Sequence, residues 1–290
     1  MKICNPIFIV GCGRSGSTLL YEILAGHKDL TWFSNYTNAF KNQPWLSSLN
    51  ILYKNPILLN NLKDHKIIPF VIPSEGHDLW DLFHPLREDK DPPLFEYDVR
   101  DANVELMKSI IIKHLKYSKC NRFLNKNTRN TRRSLYLQEI FPDALFIHII
   151  RDGRAVINSF LNVHFWENLH LWYDENFRTP SQLVLEGENE INLAAKLWKY
   201  EVERMLSDSK KINKDQYFEV RYEKFTKEPI STLREILDFC NLNSHNDFFK
   251  FIKSFNINDM NFKWRESFTN SNIKLIEKEA GSLLLKLNYI

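Results

Sequence analysis

Along the chain, apolar positions fall into short unbroken runs separated by amphipathic stretches. Ile7-Phe8-Ile9-Val10 is apolar at every position and ends in glycine, the pattern of a strand buried on both faces. Leu145 to Ile150 repeats it as Leu-Phe-Ile-His-Ile-Ile. Leu30 to Phe33, Arg122 to Leu124 and Tyr217 to Val220 are shorter strand candidates. Between them the period changes. Ser17 to Gly26 places Leu19, Leu20, Ile23 and Leu24 on one helical face, and Glu190 to Leu206 does the same with Ile191, Ala194, Ala195, Trp198, Val202 and Met205. Helices are also predicted at 104–117, 131–141, 154–162, 230–240 and 271–287. The stretch 38–65 reads as helical with breaks at Pro44 and Pro56. Residues 69–93 hold five prolines and read as an irregular insertion over the sheet edge. Buried strands alternating with helices predict an α/β fold of three layers, a central parallel sheet flanked by helices.

Composition narrows the picture. The 290 residues, 43% of them hydrophobic, suffice for a single domain over 1–290, with an insertion at about 38–100. A net charge of +3 gives no case for nucleic-acid binding. From Leu106 to Gln138, however, nine Lys or Arg residues occur with no carboxylate. The first half of that run reads equally as a solvated helix face; the second half, Lys126 to Arg133, reads as a wall facing an anion. Residues 75–101 are acidic in contrast. Cys4, Cys12, Cys120 and Cys240 show neither CxxC nor zinc-finger spacing, so no metal is expected. Free thiols, no signal peptide and no run of about 20 apolar residues predict a soluble, cytoplasmic protein without a transmembrane segment. The sequence does not set the oligomeric state.

Glycine is scarce, yet three of the eight glycines, Gly11, Gly13 and Gly16, fall together in Gly11-Cys12-Gly13-Arg14-Ser15-Gly16-Ser17-Thr18. This stretch lies between a buried strand and a helix, where unpaired amides and the helix dipole favour an anion. The spacing is that of a nucleotide P-loop, GxxxxGK[ST], but Ser17 stands at the lysine position and Arg14 is the nearest cation. The 145–150 strand ends in Arg151 rather than in an acid that could serve magnesium. A P-loop kinase or triphosphatase therefore lacks two of its parts, and a non-catalytic adenine-nucleotide-binding protein of the same fold is the other alternative.

Arg14-Ser15-Gly16-Ser17-Thr18 after an apolar strand resembles the 5′-phosphosulfate loop of sulfotransferases that use 3′-phosphoadenosine 5′-phosphosulfate (PAPS). Ile150-Arg151 with Ser159 eight residues on resembles that family's 3′-phosphate motif. Arg151 leaves the strand end and Ser159 lies two turns into the next helix, so both can meet one phosphate. Asn125-Lys126-Asn127-Thr128 resembles the family's lysine-bearing loop without its acid and proline. Arg221-Tyr222-Glu223-Lys224-Phe225 followed by Pro229, and the tail from Lys263-Trp264-Arg265 through Gly281 to Tyr289, match further segments. The pattern spans nearly the whole chain. It is most similar to the tyrosylprotein- and carbohydrate-type branch and to small bacterial members.

The resemblance implies metal-free in-line transfer of a sulfuryl group from PAPS to a hydroxyl-bearing acceptor (carbohydrate, peptide tyrosine or small metabolite), leaving the desulfated nucleotide PAP. It implies that Gly13, Arg14, Ser15, Gly16, Ser17 and Thr18 hold the 5′-phosphosulfate, Arg151 and Ser159 the 3′-phosphate, and Tyr222 the adenine side. Lys126, with Arg14, is the candidate for steadying charge on the moving group; a plain surface lysine is the other reading. Some relatives place a glutamate base just after the second strand. Here 32–36 reads Trp-Phe-Ser-Asn-Tyr, so Glu75 is the leading candidate for the base, followed by His77, with a merely solvated loop carboxylate as the alternative. His148, inside a buried strand, reads as a core histidine. Trp166, Trp172, Tyr173 and Phe177 line an acceptor pocket or pack in the core.

Overall fold

The computed structural model describes residues 2–55, 71–84 and 92–290; two stretches of the expected insertion, 56–70 with Pro56 and 85–91, lie outside them. Five strands form one parallel sheet: β1 (Ile7–Val10), β2 (Leu30–Thr31), β3 (Arg122–Lys126), β4 (Leu145–Ile150) and β5 (Tyr217–Arg221), in the spatial order β2-β3-β1-β4-β5. β1 is central. It pairs with β4 from Ile7↔Leu145 to Val10↔His148, and with β3 up to Ile9↔Lys126. The chain builds outward from β1 in both directions, so the crevice at its C-terminal end is a topological switch point, where α/β sheets take ligands.

The strand residues alternate between two apolar environments. Ile7, Ile9, Leu124, Ile147 and Ile149 pack with Leu20, Ile23 and Leu24 of helix α1 (Ser17–Ala25) and with Leu233 and Ile236 of the Pro229–Phe239 helix. Phe8, Val10, Phe123 and Phe146 pack with the Val104–Ser118 and Ser134–Ile140 helices. A third core joins the Gly153–Leu161, Glu190–Asp208 and Asn270–Lys286 helices. This is the expected three-layer α/β fold.

Several boundaries differ from the expected ones, each for a local reason. β2 ends at Thr31 because the next carbonyls serve loops: Trp32 accepts from the Asn50 amide and Phe33 from the Ser74 N–H. β3 runs on to Lys126 because pairing with β1 continues past the last apolar residue. The helix expected at 131–141 starts at Ser134, since Thr131 lies in a 3-10 turn (Thr128–Arg132) and spends its hydroxyl on both the N–H and the C=O of Gly11. The proline-rich insertion contains a helix, His77–Phe83, that buries Leu79, Trp80 and Phe83. In the described part of the 38–65 stretch, up to Asn55, stand short pieces at Asn35–Ala39, Pro44–Leu49 and Asn50–Lys54, and the rest of that expected helix lies outside the described residues. Helices at Pro180–Leu185, Tyr222–Lys227, Asn246–Ile252 and Trp264–Ser267 had no clear periodicity to announce them.

Candidate active site

The loop after β1 is shaped by backbone that only glycine adopts without strain. Gly11 (φ 142°) and Gly16 (φ 87°) bracket Arg14, itself at φ 68°. A Cβ at Gly11 would run into the Ile149 carbonyl, and one at Gly16 would sit 2.5 Å from the Tyr222 ring. The loop closes on itself through Ser15 N–H to Cys12 O (3.2 Å), and α1 begins immediately after Gly16.

Two cavities flank this loop and share Arg14 and Thr18 as walls. The larger, about 800 Å³, is lined by Gly16, Ser17, Arg151, Ser159, Tyr222 and a segment from Asn256 to Ser267. Its charged lining is Arg14, Arg151 and Lys263 against Glu266, an excess of positive charge that suits a polyanion. Arg14 Nε donates to Ser159 Oγ (3.0 Å). Arg151 leaves β4 and is almost fully buried. It donates to the Arg14 carbonyl (3.0 Å), to Met260 O (2.6 Å) and to Asn261 Oδ1 (3.2 Å), and its guanidinium lies 4.3 Å from the Tyr222 ring centroid. Burial lowers its pKa, partly offset by Tyr222, Glu223, Asp259 and Asp152. Tyr222 Oη bridges Asn258 O and the Met260 N–H, each at 3.3 Å.

The smaller cavity, about 360 Å³, lies on the other side of the loop. Cys12, Gly13, Glu75, His77, Lys126 and Thr128 form its polar floor near Arg14. Phe160, Phe165, Leu169, Trp172 and Leu197 add apolar lining, and His170, Arg129 and the buried Arg132 and Glu201 complete it. Where the two cavities meet, Lys126 Nζ is 2.5 Å from Glu75 Oε1 and 3.2 Å from Thr18 Oγ1. Glu75 Oε2 accepts from the Thr128 N–H (3.0 Å) and hydroxyl (3.3 Å), and His77 Nε2 stands 3.5 Å from it. Burial pushes the Glu75 carboxyl up. The Lys126 charge and hydrogen bond, His77 and the Thr128 amide more than offset this, so its pKa falls below the ordinary value. Lys126 itself is buried, 3% exposed, so it is not a plain surface lysine.

Glu75 arrives here by tertiary pairing. Ser34 and Pro73 form an antiparallel bridge, and Ser74 N–H bonds Phe33 O (2.7 Å). Residues 73–75 are thus laid along the continuation of β2, beside the 32–36 stretch that has no carboxylate of its own. The amides of Asn125 and Asn127 then hold the Glu75 carbonyl (3.4 and 3.2 Å).

The remaining candidates divide. Gly13 lines the smaller cavity rather than the larger one. Ser15 is buried, its hydroxyl makes no hydrogen bond, and it lines neither cavity. His148 is a core residue bonded to Tyr217 Oη (2.7 Å). Of the four aromatics singled out in the sequence, Trp172 lines the smaller cavity, its indole N–H on Glu201 (2.9 Å). Trp166 is buried against Phe160 with its N–H on Glu190, and Tyr173 bonds the Leu193 carbonyl. Sequence reasoning missed Phe165, Leu169 and His170, and of the Asn256–Ser267 wall it matched only Lys263-Trp264-Arg265, to a family segment without a site role. The one available signal was Phe160, directly after Ser159 on the same helix.

Comparison with known proteins follows the same geometry. A family model described as "Sulfotransferase family" matches residues 6–247. The protein-tyrosine sulfotransferase of Drosophila melanogaster is 22% identical over 238 residues, 81% of this chain but 38% of that protein. The omega-hydroxy-beta-dihydromenaquinone-9 sulfotransferase of Mycobacterium bovis is 22% identical over 291 residues, covering 95% of this chain and 71% of its own length. The chain thus spans well under half of the first relative. Among solved structures, sulfotransferase STF9 from Mycobacterium avium superposes with a TM-score of 0.57 at 16% identity, covering 99% of this chain and 77% of that one. The sulfotransferase domain from the curacin biosynthetic pathway gives 0.54 at 15%, covering 97% and 99%. At these identities the structural likeness carries the fold.

Proposed function

The chain belongs to the sulfotransferase family, and on that premise we propose that it moves a sulfuryl group from PAPS to a hydroxyl acceptor, each substrate occupying one of the two cavities beside the phosphate loop. The observation that carries this reading is the junction: Arg14 and Thr18 belong to both cavities, and Lys126 and Glu75 meet at that point. A donor in the larger cavity and an acceptor in the smaller one would place their reacting atoms against the same side chains.

The residues divide the work by charge. Arg151, Ser159 and Lys263 suit the 3′-phosphate end. The amides at the start of α1, with Arg14, Ser17 and Thr18, suit the 5′ end. Lys126 and Glu75 form a neutral pair in the absence of substrate. A sulfuryl oxygen beside Thr18 would compete for the Lys126 ammonium. Its departure from Glu75 would remove the charge that depresses that carboxyl and make it a stronger base. The acceptor oxygen then forms the new O–S bond, its proton passes to Glu75, and the S–O bond to the nucleotide breaks, with PAP leaving as the anion. His77, 3.5 Å from Glu75, is placed to relay that proton outward. Positioning and electrostatics supply the rate, as in phosphoryl transfer. Three of the four free thiols are buried, which supports a reducing, cytoplasmic setting. Among the described residues no helix is long and apolar enough to cross a membrane. The kinase alternative is disfavoured by Ser17 at the lysine position and Arg151 at the end of β4.

The test is a thermal-shift titration with PAP, then mass spectrometry of a hydroxyl-compound panel incubated with PAPS. A PAP-dependent shift and a sulfated product are expected. Turnover of ATP with magnesium and no response to PAP would favour the kinase, and PAP binding without transfer to any acceptor would mark a non-catalytic nucleotide binder.

A further inference from the structure

The far end of α1 carries a second constellation with no part in the chemistry above. His27 is fully buried just past the helix, Asp29 follows two residues later, and His245 immediately precedes the Asn246–Ile252 helix. One ligand atom from each of the three lies within 4.8 Å of the others.

The orientation of His27 is specific. Its Nε2 is 2.9 Å from the Asn243 carbonyl. A carbonyl only accepts, so Nε2 carries the proton and Nδ1 keeps its lone pair. Nδ1 faces Asp29, with Oδ2 at 3.9 Å and the Asp29 N–H at a long 3.3 Å. An imidazole that donates its far N–H to a backbone carbonyl is in the tautomer and pose of a metal-bound histidine. On the facing side, His245 Nε2 is buried and makes no hydrogen bond, an arrangement that costs free energy unless something fills it. The two rings stand 5.8 Å apart. His245 also lines a cavity of about 530 Å³ with Gly26, Lys28, Lys54 and Asp247, which offers an entry path and room for water.

We propose that His27, Asp29 and His245 bind a single divalent transition metal ion, Zn²⁺ best fitting the donor set, with a solvent molecule from the cavity as fourth ligand. Two imidazoles and a carboxylate suit zinc. Ligand atoms in a tetrahedral zinc site lie about 3.3 Å apart, so the cluster must contract. Asp29 and His245 are only partly buried and can close by rotation while His27 stays fixed. The nearby lysines are largely engaged. Lys54 Nζ bonds the Lys28 and Leu30 carbonyls and Cys120 Sγ, and Lys250 pairs with Asp247. The site sits the length of α1 away from the phosphate loop, about 13 Å for nine residues. The ion would tie the segment after Asn241 to the base of that helix, and sulfuryl transfer would not pass through it.

Tag-free, chelator-treated protein should bind one equivalent of Zn²⁺ by calorimetry and melt at a higher temperature when loaded. Co²⁺ in its place should show the visible ligand-field bands of a tetrahedral site. Asp29→Asn and His245→Ala, both at partly exposed positions, should each weaken Zn²⁺ at least about tenfold, while the thermal shift induced by PAP stays unchanged. If the doubly substituted protein binds Zn²⁺ as tightly as the parent, or the parent binds none, the proposal is wrong. Loss of the PAP response in the parent would instead bear on the donor reading alone.

Discussion

Arg14 at the tip of the phosphate loop donates to the Ser159 hydroxyl across 3.0 Å, so the two motifs that resemble opposite ends of one nucleotide site open onto the same cleft. Arg151 reinforces the link by donating to the Arg14 carbonyl. Had the loop after β1 and the helix after β4 faced apart, no single donor could have joined them. Adjacent parallel strands in register up to Val10↔His148 make that juxtaposition a consequence of the sheet.

Arg151 is therefore expected to decide donor binding. Its Nη1, Nη2 and Nε already meet three oxygens around the cleft, and hydrogen bonds to a charged group contribute about 1.5–3 kcal/mol each. Arg151→Ala should abolish retention on immobilised PAP. Arg151→Lys, which keeps the charge but loses the fork, should weaken PAP by about tenfold or more in calorimetry. Undiminished binding by both variants would remove Arg151 from the donor site.

Glu75 and Lys126 should separate chemistry from binding. Glu75→Gln is expected to lower kcat by about 10²–10⁴-fold with the PAP affinity unchanged, the usual contribution of a positioned base. Lys126→Met should also lower kcat and should destabilise the fold by about 1–3 kcal/mol, since it leaves the Glu75 carboxylate without its cation. The double variant should be more stable than the sum of the single losses implies, which a denaturation cycle measures. Full turnover by Glu75→Gln would pass the role of base to His77.

What the sequence made legible was whatever the chain carries within a dozen residues. The β1–loop–α1 unit was readable because an apolar run, a glycine cluster and a helical face follow one another directly. Arg151 and Ser159 were readable because one strand end and two helical turns fix their relation. The pairing of Glu75 with Lys126 was not, because it depends on the Ser34–Pro73 bridge, which no local pattern encodes. The Asn256–Ser267 wall was likewise hidden, since its value lies in reaching Arg151 and Tyr222 from the far end of the chain. His27 and His245 show the same limit: they lie far apart along the chain, and only the fold brings them together.

Gly16 tests the loop by shape alone. It holds φ 87° and lets the Tyr222 ring approach to where a Cβ would stand. Gly16→Ala must strain the backbone and displace that ring, at about 1–3 kcal/mol for the left-handed conformation. A lowered melting temperature and a PAP affinity reduced about tenfold or more are expected together. A variant that melts lower but binds PAP normally would show that Gly16 serves folding and not the anion cradle.

Buried histidines, His148 and His114 foremost, should govern how the protein responds to acid. His148, in the middle of β4, is held at a pKa of about 3 by burial first and by Arg221 second. His114 is lowered to about 4 by burial, against a partial opposing effect of its bond to Ile110 O. In the unfolded chain both protonate near 6.5. Between that value and the folded ones the unfolded state holds more protons, so stability falls as the pH drops, by about 1.4 kcal/mol per pH unit for each histidine. Glu75 acts later. Its folded pKa is depressed, so its contribution is complete above about 4.5 and is lost only as the pH falls further. Thermal melts from pH 7 to pH 5 should therefore show a decline that begins near pH 6.5, the ordinary histidine value. His148→Gln, which can keep the hydrogen bond to Tyr217 without a titrating ring, should flatten that decline by about one histidine's worth. Parallel profiles for the two proteins would mean that His148 takes up its proton in the folded state, inside a fully buried strand where the charged ring would lose its hydration.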